Sequence, residues 1–94
     1  MTIHIKYFQN NGRFEPLELV AEEDMDADYE NDYLLHKAET IADADSILLA
    51  RTFRKYNRDD RPDGHIRRSM SVGDVVSVDG RAYFCDRWGW TRLY

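Results

Sequence analysis

The chain predicts a small α+β domain, a mainly antiparallel sheet with one or two helices packed on one face, and three observations carry that prediction. Between Thr2 and Phe8, the apolar Ile3, Ile5 and Tyr7 alternate with His4 and Lys6, the period of a half-buried strand. Leu48, Leu49, Thr52, Phe53 and Tyr56 recur at helical spacing, with Arg51, Arg54, Lys55 and Arg58 on the other side. Asp79-Gly80 joins two strand-like runs, Asp74 to Val78 and Arg81 to Asp86, and Asp-Gly is the dipeptide of a two-residue hairpin turn.

In chain order, the first strand meets a turn at Asn10-Asn11-Gly12, and Phe14 to Val20 resumes an apolar pattern, so the opening reads as a β-hairpin. Pro16 cannot donate to a ladder, which puts the second strand at an edge or starts it after that position. Glu22 to Asp32 contains seven acids and no base, and is expected as an acidic loop or the exposed start of a helix. Carboxylates suit a first helical turn, so a helix from near Asp28 to about Thr40 follows, placing Tyr29, Tyr33, Leu34 and Lys37 within one or two turns. The next helix takes Asp43 or Asp45 as its cap and ends at Asn57 and the run Arg58 to Gly64. A type I′ turn at Asp79-Gly80 pairs Val78 with Arg81 and Val76 with Tyr83. Val76, Val78, Tyr83 and Cys85 then share one face and Val75, Ala82 and Phe84 the other, which suggests a central or covered hairpin. Trp88 to Tyr94 supplies a turn and a last short strand. A small, partly open SH3-like barrel is the alternative architecture.

Ninety-four residues suit one domain around one core, and 43% hydrophobic with 33% charged residues marks a globular chain. No stretch approaches the roughly 18 apolar residues that cross a bilayer, and the opening has no basic, then apolar, leader pattern, so a cytoplasmic protein is expected. Cys85 is the only cysteine, which excludes an intrachain disulfide and suits a reducing compartment. The net charge of −5 is unevenly spread: residues 1–50 hold 12 acids and 3 bases, residues 51–94 hold 6 acids and 10 bases.

No catalytic constellation stands out, and neither an enzyme nor a cofactor is expected. His4, His36 and His65 have no metal-ligand spacing with one another or with Cys85, and His65 beside its basic turn reads as solvated. Cys85 alternates into an apolar strand and reads as a buried, inert thiol. Asp24, Asp26 and Asp28 begin a calcium-loop pattern that lacks its glycine. Two binding surfaces remain. Glu22, Glu23, Asp24, Asp26, Asp28, Glu30 and Asp32 form an acidic surface that imitates a phosphate array and fits a basic groove. Arg51, Arg54, Lys55 and Arg58, with Trp88 and Trp90, form a nucleic-acid-binding alternative, cations beside stacking aromatics.

The run from Arg68 through Ser69, Met70, Ser71, Val72, Gly73 and Asp74 to Val76, then Tyr83 and Gly89-Trp90, resembles the C-terminal signature of YodL-like domains. Phe53 to Asn57 is similar to the helix preceding that signature, so the resemblance covers about residues 46 to 94 and leaves the first half to its own pattern. It implies a phage, plasmid or integrative-element setting, no established enzymatic activity, and a host partner such as a defence complex with a basic groove. Read physically, the motif is a structural clasp: Gly73 permits a tight turn, and Ser69, Ser71 and Asp74 satisfy backbone groups where the strand begins.

Overall fold

The structure is a computed structural model and describes residues 1–12, 15–58 and 68–94. Its elements are β1 (Thr2–Gln9), β2 (Glu18–Asp26), α1 (Tyr33–Lys37), α2 (Ile41–Lys55), β3 (Val75–Val78), β4 (Arg81–Asp86) and β5 (Gly89–Arg92). The strands form one open sheet in the order β2-β1-β3-β4-β5, with every neighbouring pair antiparallel. This is the α+β architecture expected; the barrel alternative is not what forms. The phenylalanine at 14, the histidine at 65 and the helix-ending run past Arg58 lie outside the described residues.

The alternation in β1 sets the two faces of the sheet. Ile3, Ile5 and Tyr7 are almost fully buried and join Val76, Val78 and Tyr83 in a core closed by Leu35, Ala44, Leu48, Leu49 and Tyr56 from the helices. Burying an aliphatic side chain of this size stabilises by about 1.5–3 kcal/mol, which outweighs any local preference of the helices. β3 lies in the middle of the sheet with all four residues buried, as the two-sided apolar hairpin suggested. Asp79 and Gly80 both have positive φ, 49° and 83°, and the register pairs Val78 with Arg81 and Val76 with Tyr83.

The acidic segment departs from its expectation. Glu22 to Asp26 is neither a loop nor the start of a helix but the second half of β2, which begins at Glu18, past Pro16. β1 is long enough to pair eight residues of β2, and pairing satisfies backbone groups that a loop would leave to water. A register shift between Tyr7 and Phe8 then sets the phase, so that Ala21, Glu23 and Met25 lie opposite Tyr7, Ile5 and Ile3 on the helix side. The single helix expected from Asp28 to Thr40 is also corrected. Asp28 accepts from the amides of Glu30 and Asn31 in a turn, and α1 begins only after Asp32, whose carboxylate accepts from the amides of Leu34 and Leu35. Tyr29 stays outside α1 against the core, while Lys37 donates to the exposed Tyr33 hydroxyl at 2.7 Å.

The N-cap of α2 lies three or five residues earlier than the Asp43 or Asp45 expected. Thr40 is the N-cap, and Asp43 closes a capping box by accepting from the Thr40 amide while its own amide donates to the Thr40 hydroxyl. Asp45 is not a cap but is buried in the core.

Candidate functional site

The seven acids fall into two sets. Glu22, Asp24, Asp26, Asp28 and Glu30 are exposed, every second residue along the outer half of β2 and into the following turn, while Glu23 and Asp32 turn inward. Since β2 is an edge strand, the exposed set forms one solvent-facing acidic margin of the sheet. Spacing along it is about 6.8 Å within the strand, two residues of antiparallel rise.

Several of the acids gain bases that their sequence neighbourhood lacks. Arg51 donates from both terminal nitrogens to Asp32, at 2.8 and 2.9 Å, tying α2 to the start of α1. The Arg51 guanidinium holds Asp32 down to about 2. Lys55 reaches the Glu23 carboxylate at 2.5 Å and fixes the end of α2 to β2. His4 on β1 lies between Asp24 and Glu22, with Nδ1 to Oδ1 at 2.6 Å and Nε2 to Oε1 at 2.7 Å. Asp24 first, and Glu22 with it, raise the imidazole above its ordinary value.

These pairs also reorganise the basic helix face. Arg51 and Lys55 are structural, whereas Arg54 on α2 and Arg58 past its end lie beside the β4–β5 hairpin. The two tryptophans diverge. Trp90 is half-buried and meets Phe53 edge-to-face, and Trp88 at the hairpin tip is 95% exposed. Cys85 is buried, and burial pushes its thiol up, which fits an inert side chain.

Two buried charge networks hold the frame. Asp74, 0% exposed, accepts from both terminal nitrogens of Arg68, from the amides of Ser71 and Asn10, and from the Tyr7 hydroxyl. Burial alone would raise its carboxyl, but Arg68 and the two amides hold it below the ordinary range. Gly73 turns into β3 at φ +99° beside the Asn10 side chain. The motif is therefore a clasp, with Arg68 as its cation, that joins the end of β1 to the start of β3. Asp45 on the inner face of α2 accepts two bonds from Arg81, at 2.7 and 3.0 Å, and one from the Tyr83 hydroxyl. An acid three and four residues ahead of Leu48 and Leu49 was the sequence signal for this pair, since an apolar stripe tolerates a carboxylate only when it is paired. Among the described residues, no group of three or more His, Cys, Asp or Glu side chains is placed to hold a metal ion, and no helix is long and apolar enough to cross a membrane.

An open antiparallel sheet backed by two helices, braced by buried ion pairs and displaying separate acidic and aromatic-basic surfaces, defines a small α+β protein. Residues 5–94 match the model of the YodL-like domain family, and the chain belongs to that family. The match reaches well beyond residues 46 to 94 and takes in most of β1, all of β2 and the acidic segment. Comparison with curated proteins and with solved structures finds no match.

Proposed function

We propose that the protein is a non-enzymatic protein-binding factor of a phage or other mobile element, which acts in the cytoplasm of a bacterial host and blocks a defence complex of the restriction or CRISPR type. The observation that supports it is the row Glu22, Asp24, Asp26, Asp28 and Glu30, exposed in alternation along an open sheet edge. A row of carboxylates on a rigid strand presents negative charge to a basic groove at fixed spacing, as a nucleic-acid backbone does. Glu23 and Asp32 drop out of this surface, because they hold Lys55 and Arg51. Charged residues also keep an edge strand from pairing with another chain, and binding kinetics separate the two roles. With the partner captured from host lysate, changing the five exposed acids to Gln or Asn should slow association and flatten its dependence on salt. Unchanged kinetics would leave the acids only their edge-guarding role.

A second reading, nucleic-acid binding, is favoured by the exposure of Trp88 beside Arg87 and by Arg54 on α2 and Arg58 just past its end, which line the same groove as Arg87. Its support is reduced because Arg51 and Lys55 are held in ion pairs. Gel shifts across a salt series distinguish it, since direct binding weakens steeply as salt rises.

A further inference from the structure

At the sheet edge opposite the acidic margin, a groove of about 850 Å³ lies between the C-terminal half of α2 and β5. Phe53 and Trp90, with ring centroids 6.4 Å apart, form one wall, and Met70 and Val72 of the clasp segment contribute another. Arg54 and Arg87 also line it, and their guanidinium groups have no partner among the described residues. Gly89 and Trp90 belong both to the groove and to β5, the outermost strand, so one side of that strand's backbone faces no other strand among the described residues.

We propose that this groove binds an extended acidic segment of a partner protein, which adds to β5 as a sixth strand and sets apolar side chains against Phe53 and Trp90. An open edge supplies the backbone bonds of strand addition, and the pockets beside it read alternate side chains. Side chains of the added strand that point to the helix side enter the groove, because Trp90 and the core residues of β4 face that side. Carboxylates one or two positions from the apolar anchor come within reach of the long side chains of Arg54 and Arg87. The chemistry fits a peptide better than a nucleic acid. Phe53, Met70, Val72 and Cys85 make much of the lining apolar. Asp86, held in its charged form by the Thr91 hydroxyl and the Trp88 amide, disfavours negative charge spaced continuously along the groove. A peptide can instead set its carboxylates beside Arg54 and Arg87 and apolar side chains elsewhere. Trp88, between two groove residues, is an exposed aromatic of the kind that anchors interfaces. This site is independent of the acidic margin, and either can fail without the other.

The test is selection of a displayed library of random dodecapeptides on the full chain. Enriched peptides should combine alternating apolar residues with Asp or Glu. A fluorescein-labelled winner should bind with Kd in the micromolar range. Arg54→Glu with Arg87→Glu should weaken that binding about tenfold or more, as should Ala50→Trp, which fills the groove, or a proline at the centre of the peptide. Circular dichroism and the melting temperature of the variants should match the parent, since Ala50, Arg54 and Arg87 are exposed. Failure to enrich any peptide, enrichment of basic peptides, binding indifferent to the folded variants, or displacement of the peptide by oligothymidine would each overturn the proposal.

Discussion

Asp74 shows how one residue can decide where two strands meet. Its carboxylate is fully buried and ionised, and it answers donors from β1, from the turn after β1 and from the clasp segment. Asp74→Ala leaves two amides and the Tyr7 hydroxyl without their acceptor, while the half-exposed Arg68 can turn to water, so a loss of about 1–3 kcal/mol is expected, read as a lower urea midpoint with little change in slope. The motif itself was legible in the sequence, because Ser, Gly and Asp in that order mark a turn. Its partners were not: Tyr7 and Asn10 lie 67 and 64 positions away, and only the β1–β3 register brings them close. His4 gives a second test at this scale, of opposite sign. Its imidazole titrates above the usual 6.5 because Asp24 and Glu22 flank it, so its contribution is complete below that pH and fades as pH rises through the raised value. Stability should therefore decline from about pH 6.5 upward in the parent, and His4→Gln should remove that decline. The groups are exposed, so added salt should shrink the effect. A ring-proton titration by NMR giving His4 an ordinary value would contradict this assignment.

Among the elements, those specified locally were the ones the sequence announced. The β3–β4 hairpin follows from Asp79-Gly80 alone, since both turn residues need positive φ and both have it. Gly80→Val should cost about 1–3 kcal/mol, although space at the site is open, because a β-branched residue resists φ +83°. Equal denaturation midpoints would mean that the turn does not specify the hairpin. α2 was similarly legible in its apolar stripe, and only its start was misplaced, since Thr40 with Asp43 satisfies two amides where Asp43 or Asp45 alone would satisfy one. β2 was hidden for the opposite reason. Its alternation is between acids facing solvent and Ala21, Glu23 and Met25 facing inward, and a carboxylate at the inward position 23 breaks the apolar pattern that marks a strand. What makes Glu23 tolerable there is Lys55 from α2, a tertiary partner that no local pattern contains.

Over the whole molecule, the uneven charge of the two halves has a structural use. The acid-rich half builds an edge of the sheet, and bases from the other half, Arg51 and Lys55, cross to it and bind two of its acids. Seven acids within eleven residues thus differ in energetic role, and that difference can be measured in the free protein. Glu22, Asp24, Asp26, Asp28 and Glu30 face water, and among the described residues His4 is a counter-charge to Glu22 and Asp24 and the N-terminal ammonium to Asp28, so the five largely repel one another. Changing Asp26 and Glu30, the two outside these pairings, to Asn and Gln should leave the melting temperature unchanged or raise it in low salt, and the difference should close as salt screens the repulsion. Glu23→Gln with Asp32→Asn removes the same number of charges yet strips Lys55 and Arg51 of their carboxylates, while Asn at 32 can still cap α1. This pair should lower the melting temperature, on the order of a few degrees for a chain of this size. Because Asp32 is held near 2 by Arg51, its share of the loss should persist to acid pH and disappear only as the carboxyl protonates. Thermal unfolding of the two double variants at two salt concentrations gives the comparison. Equal shifts in the same direction would show that the seven acids form one undivided surface, and opposite shifts that the fold has assigned five to solvent and two to its own frame.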